Sequence, residues 1–134
     1  MEGGGILWVS VQKKWTYTRN GMADETTTVA ALKEIARGFA AARKWEPYHS
    51  PKNLVMALAT EVAELMEHFL WLEAEESRNA CLVEPTREAI ADELADVTYL
   101  VMLFSIHSGL DIHDSILAKM VKNEKKYPAP QSTG

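Results

Sequence analysis

The sequence predicts an all-α protein, a four-helix bundle, and three observations carry that prediction. Apolar residues recur at steps of three and four through most of the chain from about residue 28 to residue 126. Residues that end or begin helices stand where those runs break, among them Pro47, Pro51, Pro85, Gly109 and Pro128. Strand-like alternation competes with the helical period only at residues 6 to 11.

The first helix is expected from about Thr28 to Trp45, with Val29, Leu32, Ile35, Ala36 and Phe39 as one apolar stripe. Acid and hydroxyl residues in the segment Met22 to Thr26 are suited to capping it. Pro47 and Pro51 bracket a short loop, and the second helix starts near Lys52 and ends near Glu73. Its ridge is Val55, Leu58, Val62, Leu65, Phe69 and Leu72, the 3-4 alternation that helix packing requires. Residues 73 to 84 are polar and acid-rich, and Pro85 suits the first turn of a third helix. That helix carries Ile90, Leu94, Val97, Val101 and Phe104 and stops at Gly109. Asp111 caps the fourth helix, which runs through Ile112, Ile116, Met120 and Val121 until Tyr127 and Pro128 end it. Residues 1 to 25 read as an N-terminal extension, a tag or a short added hairpin, with Met22 an alternative start. Residues 26 to 128 are the domain, and 129 to 134 a flexible tail.

Composition narrows the function classes. A chain of 134 residues and 15.0 kDa can bury one core. With 19 acids against 14 bases the net charge is -5, so nucleic acid is not the expected partner. Cys81 is the one cysteine, which excludes an internal disulfide and a thiol-rich metal site and points to a reducing, cytoplasmic setting. No apolar run reaches the length of a membrane span, so no membrane is expected as partner.

Acids intrude where a bundle prefers apolar residues. Helix two contains Glu61-x-x-Glu64 and helix three Glu93-x-x-Asp96, and a three-residue step puts both members of a pair on one side of a helix. Both pairs lie beside the apolar ridges. In an antiparallel hairpin they fall at matching heights, roughly 14 to 18 Å and roughly 11 to 15 Å from the connecting loop at 1.5 Å per residue. Four converging carboxylates repel and raise one another's pKa unless a cation neutralises them. Oxygen-only ligation suits Mg²⁺, with Mn²⁺ as a substitute. A di-iron bundle requires Glu-x-x-His on two helices, and the one match, Glu46-x-x-His49, falls in the proline-bracketed loop.

Four blocks in order carry a resemblance: Phe39 to Leu54, Glu61 to Leu65 with Trp71, Glu93 to Val97, and Lys119 to Pro128. Over about residues 28 to 128 the chain resembles the MazG-like all-α nucleoside triphosphate pyrophosphatases, and within them the dCTP pyrophosphatase branch. The resemblance implies hydrolysis between the α- and β-phosphates, giving a nucleoside monophosphate and pyrophosphate in cleansing of the nucleotide pool. It implies Mg²⁺ held by Glu61, Glu64, Glu93 and Asp96, which are also the catalytic residues, with Glu64 chosen to orient or deprotonate the attacking water. Trp45 and Trp71 match positions that flank the base, and His49 lies in the matched loop. Asn53 and Asn123 offer amides to base or sugar, and Lys119 and Lys126 offer charge to phosphate. It further implies a homo-dimer or homo-tetramer whose bundles share a core. One departure stands out: the family commonly has tyrosine four residues after the aspartate, where this chain has Leu100, preceded by Tyr99. Two other readings remain, a related pyrophosphatase acting on dUTP, phosphoribosyl-ATP or damaged nucleotides, and a non-catalytic helical partner-binding protein on the same scaffold.

Overall fold

A computed structural model describes residues 23–131. The proposed N-terminal hairpin or tag and the last three residues of the tail lie outside that range. Five helices follow in order: α1 (Val29–Ala42), α2 (Pro51–Glu67), α3 (Ala74–Ala80), α4 (Thr86–Ser108) and α5 (Ile112–Lys126), with short 3-10 turns at Ala23–Glu25 and Glu46–Tyr48. Among the described residues there is no strand. Four long helices are as expected, and α3 is an addition.

Local chemistry explains most boundaries. The cap of α1 is Thr28, whose side chain accepts from the Ala31 N–H at 3.1 Å, while the acids expected to cap it form the separate 3-10 turn. Ser50 caps α2 through the Asn53 N–H at 3.2 Å, and Pro51 takes the first helical position, where a missing N–H costs nothing. Pro85 stands one place earlier on α4 than expected, at the N-cap. Gly109 closes α4 in the left-handed conformation at φ 68°, and Asp111 caps α5 through the Asp114 N–H at 2.8 Å.

The expected end of the second helix is corrected. α2 stops at Glu67, six residues before Glu73, and residues 68 to 71 turn the chain into α3. The start of α3 is a capping box: the Glu73 N–H donates to the Glu76 carboxylate at 2.8 Å, and the Glu73 side chain takes the Glu76 N–H in return. Those reciprocal bonds fix Glu73 as the beginning of a new helix, which the apolar spacing of Phe69 and Leu72 does not reveal.

α4 is the centre of the fold, packed along α2 and over a shorter stretch against α1. Ala36 and Ala40 of α1, Leu54 of α2, and Leu100, Met102 and Leu103 of α4 form the core, with Ala57, Leu58, Tyr99, Phe104, Ile106 and Ile112 packed around it. Alanine on α1 lets that helix approach α4 closely. The ridges expected to be buried are only partly so. On α2 the inward positions are Leu54, Leu58, Glu61 and Leu65, whereas Val55 and Val62 are about half exposed. On α4 the inward line includes Ile90, Glu93 and Val97, and Leu94 is 55% exposed. The acids thus face the seam between α2 and α4, and part of each apolar ridge faces out.

Candidate metal and nucleotide site

The carboxylates converge where α2 and α4 pass each other in opposite directions. Leu54 joins Leu100 and Leu103 in the core, and two turns further along α2, Glu61 and Glu64 meet Glu93. One carboxylate oxygen from each of these three lies within 4.8 Å of the others. Glu61 and Glu93 are half-buried and Glu64 is exposed, so the cluster has a closed inner side and an open outer one. Asp96, exposed one turn further along α4, lies outside that tight group but close enough to act on Glu61 and Glu93 by charge.

The electrostatics of these acids disfavour full ionisation of the cluster when it is empty. Glu61 Oε2 and Glu93 Oε2 are shut from water and have no hydrogen-bond partner. Burial pushes the Glu61 carboxyl above its ordinary range, and a hydrogen bond with Glu64 and the charges of Glu64, Asp96 and Glu93 push the same way. Burial likewise raises Glu93, helped by Glu64 and Asp96 and opposed by His68. A buried carboxylate oxygen without a donor is costly, and a cation bound between such oxygens removes the cost.

A wall of rings leads away from the carboxylates. Tyr99 stands edge-on to Phe39 at 5.8 Å, Phe39 edge-on to Trp45 at 5.9 Å, Trp45 edge-on to His49 at 6.4 Å, and His49 edge-on to His107 at 5.7 Å. The Arg43 guanidinium lies 3.4 Å from the centroid of Phe39 and 5.8 Å from that of Trp45. Burial raises the Tyr99 phenol, with Arg43 opposing and Asp96 assisting. The His49 imidazole is lowered by burial and by the neighbouring His107, against a smaller pull from Glu46, and its Nδ1 is buried without a partner. Trp45 is aimed at this wall by the end of α1: Lys44 adopts a positive φ of 57°, and the Trp45 N–H returns to the Ala40 carbonyl at 3.1 Å.

The other residues singled out in the sequence fall elsewhere. Trp71 lies in the turn after α2 and is 89% exposed, with no ring contact to Trp45 among the described residues. The Asn53 amide donates to the Tyr48 carbonyl at 2.9 Å, which braces the 3-10 turn. Lys119, Asn123 and Lys126 are spaced along α5, a helix only sparsely packed on the others, and Lys126 lies over the Tyr127 ring at 5.2 Å. Phe39, Tyr99 and His107 are not among the site residues the sequence suggests: Phe39 reads as part of an apolar stripe, Tyr99 only as the neighbour of the departure at Leu100, and His107 as a helix-surface or packing histidine. The unsatisfied Tyr99 hydroxyl and the His49–His107 contact exist only once α1, the loop and α4 are assembled.

A model of the MazG-like family matches residues 56–134. This chain belongs to the MazG-like family. Among curated relatives, dCTP pyrophosphatase 1 of Bos taurus is 34% identical over 107 residues, covering 80% of this chain and 63% of that protein. The Homo sapiens dCTP pyrophosphatase 1 is 34% identical over 102 residues, covering 76% of this chain and 60% of that protein. The chain therefore matches somewhat under two thirds of the length of these relatives. A solved pyrophosphatase from Archaeoglobus fulgidus superposes with a TM-score of 0.65 at 30% identity, covering 87% of this chain and all of that one. The MazG-like match begins inside α2 and so includes all four carboxylates. Among the described residues no helix is long and apolar enough to cross a membrane.

Proposed function

We propose that this MazG-like chain is a divalent-metal-dependent nucleoside triphosphate pyrophosphohydrolase. It splits the bond between the α- and β-phosphates of a deoxynucleotide, dCTP or a modified dCTP foremost, to a monophosphate and pyrophosphate. The observation that carries this reading is the meeting of Glu61, Glu64 and Glu93 with two buried oxygens left unpaired. Relatives named dCTP pyrophosphatase support the substrate class.

The donor set fits the metal. Oxygen-only donors on two rigid helices suit Mg²⁺, with Mn²⁺ able to substitute, and Asp96 would add a further negative charge beside them. When bound, such an ion neutralises triphosphate charge, polarises the phosphoryl oxygens and favours ionisation of a coordinated water. Glu61 and Glu93, on the more buried side, would hold the cation and shield its inner face from bulk water. Glu64, on the open side, accepts the proton of the attacking water as its oxygen adds to phosphorus and the bridging bond breaks. Trp45, 41% exposed and backed by Phe39, offers its indole to the base, a contact of about 1 to 3 kcal/mol per stacked base.

Assembly belongs to the same reading. The chain forms a homo-dimer or homo-tetramer, in which a second copy covers the outward parts of the α2 and α4 ridges and brings α5, with Lys119, Asn123 and Lys126, into a shared structure. Trp71 is then an interface or pocket residue contributed between copies. The alternative of a binding-only descendant is disfavoured by the unpaired acid oxygens, which serve no partner-binding purpose. Release of pyrophosphate and monophosphate from dNTPs, NTPs and 5-methyl-dCTP, each with Mg²⁺, Mn²⁺ or EDTA, tests the proposal. Metal-dependent turnover strongest on dCTP or its modified forms is expected, and no turnover by folded protein on any of them overturns it.

A further inference from the structure

The carboxylate cluster has two ends. Along α4 from Glu93, Asp96 and then Tyr99 lead to the rings of Phe39 and Trp45. Because α2 runs the opposite way, its line of Glu61, Glu64 and His68 leads from the same acids toward the other end. His68 is four residues past Glu64, the step that sets two side chains on one side of a helix about 6 Å apart along its axis. It is the C-cap of α2, with φ -66° and ψ -18°, so the projection of the helix carries through to it. His68 is half-buried, whereas Met66 and Glu67 before it are exposed.

Charge at this end is one-sided. Among the groups that act on Glu61 or Glu93, His68 is the one nitrogen base, and all the others are carboxylates. Each arginine of the described residues already has a partner elsewhere: Arg37 pairs with Glu34, Arg78 with Glu75, Arg43 lies over Phe39, and Arg87 donates to the Cys81 carbonyl. The His68 ring makes no hydrogen bond among the described residues. A leucine would close the end of α2 as well, so packing alone gives no reason for an imidazole. A nucleotide with its base at Trp45 and its α-phosphate at the carboxylates has one direction left for its β- and γ-phosphates, past Glu64 toward His68. Those phosphates are anionic and only accept hydrogen bonds, which an N–H donor supplies.

Resting on the nucleotide reading above, we propose that His68 is a substrate-binding residue whose imidazole N–H donates to an oxygen of the β- or γ-phosphate and holds the pyrophosphate part of the substrate against the acids of α2 and α4. The two ends of the cluster then divide the substrate, with the base at the aromatic wall and the pyrophosphate at the end of α2.

Binding of the α,β-imido analogue of dCTP and of dCMP, in Mg²⁺, to the full chain, to His68→Ala and to His68→Gln tests this. His68→Ala is expected to weaken the triphosphate analogue by about 10-fold, the worth of one hydrogen bond to a charged group, and to leave dCMP unchanged. His68→Gln, whose amide keeps an N–H donor, is expected to recover most of that loss. The rise in nucleotide-free Tm on adding Mg²⁺ is expected to be the same in all three proteins. Equal weakening of both ligands by His68→Ala, the result of a contact at the base or of a role in packing, overturns the assignment. So does a Tm rise lost in His68→Ala, which makes the imidazole a support for Glu93, and so does an analogue affinity that His68→Ala leaves unmoved. Each of these leaves the nucleotide reading intact, whereas failure of the unaltered chain to bind the analogue overturns both.

Discussion

Glu61 and Glu93 concentrate the conflict on which this chain is built. Each puts a carboxylate oxygen out of reach of water with no donor facing it, and each has its pKa raised by burial first and by neighbouring acids second. A carboxyl raised in the folded state favours folding while it is protonated. Its contribution is present below the ordinary value of 4.5 and is lost as pH rises through the raised value. The metal-free protein is therefore expected to lose Tm as pH climbs from the ordinary carboxylate range toward neutrality. Glu61→Gln removes one of the repelling charges, so it raises the metal-free Tm at neutral pH and flattens that dependence. Mg²⁺ has the opposite pattern, raising the Tm of the unaltered protein and leaving that of Glu61→Gln nearly unmoved. Thermal melts of both proteins across pH, with and without Mg²⁺, check all three expectations.

At the scale of the element, the chain's turns are set by single residues whose effects have opposite signs. Gly109 ends α4 at a positive φ, and a Cβ there meets nothing within 4 Å, so Gly109→Ala costs only the backbone strain, about 1 kcal/mol. Lys44 holds the same region of backbone space without glycine's freedom, so Lys44→Gly is expected to be neutral or stabilising by about 0.5 kcal/mol. Leu54 is 2% exposed among Ala36, Leu100 and Leu103, and Leu54→Ala is expected to cost about 2 to 5 kcal/mol. Urea denaturation of the three variants reads these values. The long helices were legible because Gly109, Asp111 and Pro51 mark their ends chemically. The end of α2 was not, since Phe69 and Leu72 continue its spacing while the bonds that stop it are reciprocal contacts between Glu73 and Glu76. The carboxylate pairs were legible as pairs because a three-residue step fixes their common side. Their inward aim was read one position off: Val55, Val62 and Leu94 look like core by period, yet Glu61 and Glu93 share the seam with Leu58 and Val97.

For the whole molecule, the outward ridges and the acid-lined seam are two sides of one arrangement. A helix apolar over a wide arc can pack on two neighbours at once, and among the described residues α2 packs extensively on α4 alone. That accounts for Val62, Leu94, Ile116 and Met120 standing about half exposed. Light scattering after size exclusion at low micromolar concentration is expected to give a dimer or tetramer of a 15.0 kDa chain. Leu94→Glu shifts it toward monomer with helical content retained. A monomer from the unaltered chain contradicts this account of the ridges. The aromatic wall was the least legible part, because it joins α1, the loop and α4, which no spacing along the sequence relates.

The central claim is that the carboxylates of α2 and α4 are a metal-dependent phosphoanhydride-cleaving centre, and it is tested most directly by pyrophosphate release from dCTP by the unaltered chain and by Glu93→Gln. Release that requires Mg²⁺, stops with EDTA and falls about 100-fold or more in the folded variant is the predicted result. Release that persists in EDTA, or that Glu93→Gln leaves unchanged, contradicts it.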